Sequence, residues 1–165
     1  MEKELQVLSC KVADLLKSDN QTIAIAESSA GGLISAYLLS VPGASTYYIG
    51  GGVIYTRSAQ KGLLGVSDGE MEGLRSSTES YCLLNARKVK DVLGTTWGLA
   101  ETGAAGPTGN RYGDSAGHSC IGVSGPKEKV ITLETGRSKR FENMKAFSEA
   151  SLNLLIDCIE SSRIP

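Results

Sequence analysis

Residues 22–33 read Thr-Ile-Ala-Ile-Ala-Glu-Ser-Ser-Ala-Gly-Gly-Leu. The opening run from Thr22 to Ala26 is β-branched or small and apolar, which predicts a buried strand. The segment from Glu27 to Gly32 predicts a sharp turn, and Leu33 to Ser40 predicts a helix. A strand that turns directly into a helix is the building unit of α/β proteins, so this segment predicts that fold class.

The alternation of helices and strands continues along the chain. Apolar spacing predicts helices at residues 3–18, 57–64, 79–93 and 140–160, and strands at residues 47–56, 97–102, 119–123 and 129–134. Gly50 to Gly52 lie inside the first of these strands, where they predict a bulge or a close approach of two backbones. We therefore expect an α/β sandwich with a mixed sheet.

The overall composition is that of one folded domain. The chain has 165 residues, of which 41% are hydrophobic, and this is enough for a core. Its 17 Lys and Arg residues nearly balance 18 Asp and Glu residues, which gives a net charge of -1. This balance argues against a nucleic-acid-binding protein with a broad basic face. No apolar run approaches the roughly 18 residues of a membrane span, so we expect none.

The cysteines and the N-terminus bear on metal binding and location. Cys10, Cys82, Cys120 and Cys158 form no Cys-x-x-Cys pair, so a zinc ribbon is not expected. Met1 to Leu5 lacks the apolar stretch of a secretory signal. Four thiols without such a signal indicate a reducing, cytoplasmic location, with import into an organelle left open.

Ser28 is the first candidate site residue. The N–H groups of the first helical turn are expected to point into the space above the strand end, where they favour a phosphate or an oxyanion. A serine beside such donors is placed as an acyl-transfer nucleophile, and Gly31 and Gly32 leave room for a ligand. The alternative is that Ser28 or Ser29 only caps the helix.

The glycine-rich loop predicted at residues 103–117 is the second candidate site. Its small residues Gly103, Ala104 and Gly106 expose backbone amides that suit an anion or a flat ring. Two loops at the carboxyl ends of strands can form one crevice, although an ordinary surface loop is the alternative. Because the 20 glycines cluster in the candidate segments, we expect them to mark backbone contacts with a ligand.

Tyr55 ends the glycine-containing strand and is a third candidate, because its hydroxyl can serve a site. A core tyrosine is the alternative for Tyr55, and a solvated face is the alternative for the nearby cations Arg57 and Lys61. His118 is the single histidine, and its position at a strand start favours a structural role.

Five motifs follow one another in a specific order: Ala26-Glu-Ser-Ser-Ala-Gly-Gly-Leu33, Val41-Pro-Gly-Ala-Ser45, Gly52-Val-Ile-Tyr55, Leu63-Leu-Gly-Val66 and Thr102-Gly-Ala-Ala-Gly-Pro-Thr-Gly109. Together they resemble the C-terminal domain family of the competence/damage-inducible protein CinA over about residues 5–160. The resemblance implies a three-layer α/β/α sandwich, a single domain over residues 1–165, no metal or other cofactor, and a homo-oligomer. Stand-alone bacterial members are nicotinamide mononucleotide deamidases, which hydrolyse the carboxamide of the nicotinamide ring and release ammonia.

The resemblance also implies roles for individual residues. Ser28 matches the family's nucleophile, and Tyr55 matches a tyrosine of its site. The amides of Ala30, Gly31 and Gly32, next to Ser29, would hold the oxyanion. Substrate contacts would come from the loop containing Gly103, Ala104 and Gly106, and from Arg140 at the start of the last helix.

Four positions depart from the family pattern. The family reads Glu-Ser-Cys-Thr-Gly-Gly where this chain has Ser29 and Ala30. Gln60 stands where the family has the lysine that acts as its base, and a neutral amide cannot take a proton from the nucleophile. Met144 stands where the family has a second arginine, an anion contact. Lys61 lies one position beyond Gln60.

Three hypotheses follow from these observations. The expected one is an amidohydrolase that acts on a small-molecule nucleotide, with Ser28 as nucleophile and Tyr55 or Lys61 moving protons. The second is a non-catalytic relative that binds a nucleotide or a protein partner, as Gln60 and Met144 suggest. The third is an assembly module without a ligand. Nucleic acids and membranes are not expected partners.

Overall fold

The computed structural model describes residues 2–164. Its helices are α1 (Glu2–Ser18), α2 (Leu33–Leu39), α3 (Arg57–Leu64), α4 (Glu79–Leu93) and α5 (Arg140–Ser162). Its strands are β1 (Ile23–Glu27), β2 (Tyr48–Val53), β3 (Trp97–Ala104), β4 (His118–Ser124) and β5 (Lys129–Glu134), and a short 3₁₀ turn spans Ala44–Thr46. The predicted helices and strands are confirmed, with ends that differ by a few residues.

The five strands form one mixed sheet in the order β2-β1-β3-β4-β5. β1 pairs in parallel with β2 and β3, whereas β4 pairs antiparallel with β3 and β5. All five residues of β1 are buried, because the strand has a neighbour on each side and helices on both faces. This position explains the unbroken apolar run that precedes Glu27.

Helices cover both faces of the sheet and complete a three-layer sandwich. On one face, α1, α2 and α5 enclose the larger core, which includes Leu16, Ile34 and Leu155. On the other face, α3 and α4 enclose a smaller core that includes Leu64 and Val89. The expected α/β/α architecture is therefore confirmed as a single domain.

Strand β2 contains both of the features that its glycines predicted as alternatives, a bulge and a close approach of two backbones. The pairing with β1 shifts register between Ile23 and Ala24, so that Ala24 lies opposite Gly50. A Cβ on Gly51 would lie 2.3 Å from the carbonyl oxygen of Ile25, which no side chain could tolerate. The bulge and the close approach fix β2 against β1 at the edge of the sheet.

Two threonine caps fix the helices that begin beside the carboxyl end of the sheet. Thr56 Oγ1 accepts a hydrogen bond from the Ala59 amide at 3.1 Å and begins α3. Thr78 Oγ1 accepts from the Tyr81 amide at 3.4 Å and begins α4. These caps hold the preceding residues, including Tyr55, in defined positions.

None of the helices within residues 2–164 combines the length and the hydropathy that crossing a membrane requires. All four cysteines, at positions 10, 82, 120 and 158, carry free thiols, and only the first of them is exposed.

Candidate active site

A cavity of about 620 Å³ opens at the carboxyl ends of the three parallel strands. This edge is the usual ligand position in α/β sheets, and the volume falls within the roughly 300–1,000 Å³ of small-molecule sites. The polar side chains that line the cavity are Ser28, Tyr55, Thr56, Arg57, Arg75, Ser76, Ser77, Tyr81, Thr102, Asn110, Arg111 and Tyr112. Of the candidates predicted from sequence, the cavity brings together Ser28, Tyr55 and Gly103.

A second depression, of about 710 Å³, lies between β5 and α5. Its lining includes Glu4, Glu134 and Arg137 but none of the candidate catalytic residues. Within residues 2–164, no group of three or more His, Cys, Asp or Glu side chains is arranged to hold a metal ion. The cavity around Ser28 is therefore the candidate active site.

A buried glutamate fixes the turn that carries Ser28. Glu101, in β3, is 1% exposed. Its Oε2 accepts hydrogen bonds from the backbone N–H groups of Ser28 at 3.1 Å and Ala30 at 2.8 Å. Its Oε1 accepts from the hydroxyls of Ser29 and Ser119. Burial raises the pKa of Glu101, while these four donors favour the charged form and oppose that rise.

A second buried glutamate occupies the N-terminus of α2. The Glu27 carboxylate accepts hydrogen bonds from the N–H groups of Gly32 at 2.9 Å, Ile34 at 3.1 Å and Ser35 at 3.0 Å, and from the Ser35 hydroxyl at 2.7 Å. The expectation that the first helical turn offers free donors to a ligand is therefore wrong, because the chain's own carboxylate takes them. Neither glutamate was predicted as a site residue, although each is a charged residue that follows the apolar run of a strand, which was the available signal.

The turn before α2 leaves few amides for an oxyanion. The N–H groups of Ala30 and Gly32 donate to the two buried glutamates, and that of Gly31 donates to the Ser28 carbonyl at 3.0 Å. The three expected oxyanion donors are thus engaged within the chain. The Ser29 N–H makes none of these bonds, so it is the amide of the turn left for a developing negative charge.

Arg140 joins Tyr55 to the loop that follows β3. Its Nη2 donates to the Tyr55 hydroxyl at 3.2 Å, and its Nη1 donates to the Gly106 carbonyl at 2.5 Å. Tyr55 is 61% exposed and lines the cavity. The structure therefore brings Tyr55, Arg140 and Gly106 together at the cavity rim.

Neither Gln60 nor Lys61 lines the cavity. Gln60 is completely buried, where its Nε2 donates to Asn85 Oδ1 at 2.7 Å and its Oε1 accepts from Arg57 Nη1 at 3.0 Å. Lys61 is mostly exposed and forms an ion pair with Asp68 at 3.0 Å. The structure does not bring either side chain to Ser28, so the proton-transfer role expected of Lys61 has no support from this geometry.

Met144 packs over the turn that carries Ser28. A Cβ on Gly31 would lie 2.7 Å from the Met144 Cε. An apolar thioether therefore covers the turn at the position where the family pattern places an arginine.

Gly103 and Ala104 belong to β3 and not to a loop, which corrects the expected boundary. They pair with Ser119 and His118 of β4. A Cβ on Gly103 would lie 2.2 Å from the His118 carbonyl oxygen, so this glycine permits the close approach of two strands. The loop begins at residue 105, and Gly103 contributes to the cavity from the strand end.

Most of the cations and aromatic groups that line the cavity were not predicted from the sequence. Arg75 forms a two-pronged ion pair with Asp114 at 2.8 and 3.1 Å, which lowers the pKa of Asp114 to about 2. Arg111 donates to the Tyr112 hydroxyl at 2.9 Å, and this bond lowers the pKa of Tyr112. These residues come from two distant segments, so no local motif signals them.

His118 does not line the cavity but contacts Ser77, which does. This contact agrees with the structural role expected for His118. Its Nε2 lies 2.9 Å from the Ser77 carbonyl oxygen, and its Nδ1 lies 2.5 Å from Glu134 Oε1. Burial would lower the pKa of His118, but these two acceptors, together with the negative charges of Asp114 and Glu134, outweigh burial and raise it. The folded state therefore favours the imidazolium form.

This pKa shift predicts a stability that depends on pH. Because the folded pKa of His118 is raised, its contribution is complete below the unfolded value of about 6.5 and is lost as pH rises through the folded value. Glu134→Gln is expected to lower the free energy of unfolding by about 0.5–1 kcal/mol at pH 6 and by less at pH 9. Urea unfolding at both pH values measures this difference. Glu128→Gln is the control, because it breaks the ion pair with Arg87 and is expected to lower the free energy of unfolding equally at pH 6 and pH 9. An equal loss at the two pH values for Glu134→Gln would contradict the prediction.

The fold and the cavity define the class of protein: a single α/β/α domain with a serine on the turn between a parallel strand and a helix. The family model described as the CinA C-terminal domain matches residues 5–159. The chain belongs to this family.

Proteins described as CinA-like, from several bacteria, are similar to this chain in sequence. A CinA-like protein of Nostoc sp. is 39% identical over 127 residues, which cover 77% of this chain and 30% of that protein. A CinA-like protein of Desulfosudis oleivorans is 41% identical over 119 residues, covering 72% and 29%, respectively. A third, from Salinibacter ruber, is 35% identical over 145 residues, covering 88% and 35%. The chain thus spans about a third of the length of these relatives.

Solved structures show the same fold. A CinA superfamily protein from Klebsiella pneumoniae superposes with a TM-score of 0.89 at 18% identity, over 95% of this chain and 98% of that one. One from Enterobacter cloacae superposes with a TM-score of 0.85 at 26% identity, over 94% and 92%.

Proposed function

We propose that the chain is an amidohydrolase of the nicotinamide mononucleotide deamidase type, which converts a nicotinamide carboxamide to the acid and ammonia. One observation carries the proposal: Ser28 lines a cavity of small-molecule size on a turn that a buried carboxylate fixes. The resemblance of its motifs to the deamidases of the CinA family supplies the substrate class.

The proposed reaction has two covalent steps. Ser28 Oγ forms a bond to the carboxamide carbon as the carbonyl electron pair moves onto oxygen, near the Ser29 N–H. The C–N bond then breaks, and the nitrogen leaves as ammonia with the proton that the serine lost. Water hydrolyses the resulting ester, which restores the serine and yields the carboxylate. The Tyr55 hydroxyl, held by Arg140, lies on the rim where it can relay protons.

Ammonia release tests this proposal directly. The purified chain is incubated with nicotinamide mononucleotide, ammonia is followed by a coupled assay, and the acid product is identified by mass spectrometry. Stoichiometric ammonia and acid are expected. Absence of both with nicotinamide mononucleotide, nicotinamide riboside and nicotinamide would contradict the proposal.

A second candidate function is ligand binding without turnover. One observation favours it. Gln60 occupies the position expected for the base and is hydrogen-bonded to Asn85, and the adjacent Lys61 is paired with Asp68. A serine without a base nearby typically loses roughly 10²–10⁴-fold in rate. Calorimetric binding of nicotinamide mononucleotide without any ammonia release would favour this candidate over the hydrolase.

We also propose that the chain is a homo-oligomer, as its family resemblance implies. The edge strand β2 exposes Ile49 and Val53, which are 49% and 44% exposed. Multi-angle light scattering is expected to give a mass of at least twice the 17.3 kDa of one chain. A mass of a single chain at high micromolar concentration would contradict this proposal.

A further inference from the structure

The wall of the cavity formed by residues 74–77 and 110–112 is rich in cations. Arg57, Arg75 and Arg111 line the cavity, and among the described residues 2–164 no Asp or Glu lines it. Such a site attracts an anionic ligand.

The three guanidinium groups differ in how far their charges are balanced. Arg57 pairs with Asp68 at 2.8 Å, and Arg75 pairs with Asp114 through two bonds. Within residues 2–164, Arg111 has no such carboxylate partner, and its Nη2 donates to the Tyr112 hydroxyl. Arg111 is therefore the cavity arginine whose positive charge is not balanced by the chain.

The ring of Tyr112 contacts the guanidinium groups of both Arg75 and Arg111. Its ring lies 5.2 Å from the Arg75 guanidinium carbon and 5.0 Å from that of Arg111. Because Arg75 is anchored by Asp114, the ring provides a rigid support on which Arg111 rests. A guanidinium held in this way loses little freedom when it binds an anion.

Ser77 adds a strained polar residue to the same wall. Its φ of 62° lies in the left-handed region, which is unusual for a residue other than glycine. The strain is maintained because its N–H donates to Thr102 Oγ1 at 3.3 Å while its carbonyl faces His118. Strained residues of this kind concentrate at ligand sites.

We propose that Arg111, supported by Arg75 and Tyr112 and flanked by Ser77, binds the phosphate monoester of a mononucleotide. Arg111 is then the residue that distinguishes a phosphorylated ligand from its nucleoside. This inference rests on the proposed function, since it assumes that the other end of the ligand reaches Ser28.

The test measures binding separately from turnover. Ser28→Ala protein is titrated by calorimetry with nicotinamide mononucleotide and with nicotinamide riboside at low salt, so that neither ligand is hydrolysed. We expect the mononucleotide to bind at least about tenfold more tightly, inorganic phosphate to compete with it, and Arg111→Gln to remove the difference. Arg111→Lys, which keeps the charge but not the planar fork, is expected to retain part of it.

Arg87→Gln is the matched control, because it removes the same charge from an arginine that does not line the cavity and pairs with Glu128. It is expected to leave the preference for the mononucleotide unchanged. Equal affinity for both ligands, an unchanged preference in Arg111→Gln, or no binding of the mononucleotide would overturn the inference.

The two proposals fail in distinguishable ways. If the natural chain released ammonia from nicotinamide riboside and showed no preference for the mononucleotide, the phosphate site would be contradicted and the hydrolase would stand. Binding of the mononucleotide that depends on Arg111, with no ammonia from any amide, would remove the hydrolase and leave the phosphate site.

Discussion

Replacement of Ser28 by alanine is expected to lower ammonia release from nicotinamide mononucleotide by at least about 10³-fold, because the attacking oxygen is lost. The fold should be unaffected, since the bonds that fix the turn come from the Ser28 N–H and not from its hydroxyl. Single-turnover kinetics at saturating substrate measure the loss. Calorimetry on the same variant verifies that the ligand still binds.

Ser29→Ala is the matched control for this experiment. Ser29 is 5% exposed, and its hydroxyl donates to Glu101 behind the turn. We expect this variant to lose about 1 kcal/mol of stability, the usual worth of one hydrogen bond, and to keep its rate within about tenfold of the natural chain. If Ser29→Ala abolished ammonia release while Ser28→Ala preserved it, the assignment of the nucleophile would be wrong.

The fold could be predicted from the sequence because its elements are marked locally. The short β-branched and apolar run before Glu27 favours a strand buried on both faces, and the capping residue Thr78 begins a helix with a regular apolar face. The close approach of β2 to β1 was also predictable, since glycine inside a strand often marks a close backbone neighbour, and Gly51 has one in the Ile25 carbonyl. Each of these features depends on neighbouring residues only, so one sequence is enough to predict it.

The candidate site was harder to predict because its key contacts join distant segments. Glu101 meets the Ser28 turn only because β3 lies beside β1 in the sheet. Arg75 and Asp114 form their ion pair between two segments that are 39 residues apart in the sequence. Pairing across a sheet or between loops leaves no local pattern, so these residues became visible only in the structure.

The glycines are a second feature whose role could not be predicted from the sequence. They were expected to mark ligand contacts, but Gly103 is the one glycine that lines the cavity. A Cβ on Gly98 would lie 2.0 Å from the Ala86 carbonyl oxygen, and one on Gly125 would lie 2.5 Å from the Trp97 ring. Gly98 thus allows a helix to approach β3, and Gly125 allows the chain after β4 to pass close to Trp97 of β3. Composition alone cannot distinguish such packing from ligand binding.

Replacement of Glu101 by leucine is expected to cost about 3–5 kcal/mol of unfolding free energy. The buried N–H group of Ala30 and the partly buried N–H group of Ser28 would lose their acceptor, and each such loss costs about 1–3 kcal/mol. The hydroxyls of Ser29 and Ser119 would also lose their acceptor, although they can rotate toward other groups. Urea unfolding at pH 7 measures the cost, and ammonia release should fall with it because the turn that carries Ser28, the proposed nucleophile, is no longer held.

Glu101→Gln separates hydrogen bonding from charge at the same position. The amide oxygen can still accept from the Ser28 and Ala30 N–H groups, and the amide nitrogen can donate to the Ser29 and Ser119 hydroxyls, which accept as well as donate. Because burial disfavours the carboxylate's charge, removing the charge while keeping the bonds should change stability by no more than about 1 kcal/mol. A loss as large as that of Glu101→Leu would show that the negative charge, and not the set of hydrogen bonds, holds the turn. A negligible loss in Glu101→Leu would instead show that the turn keeps its shape without Glu101.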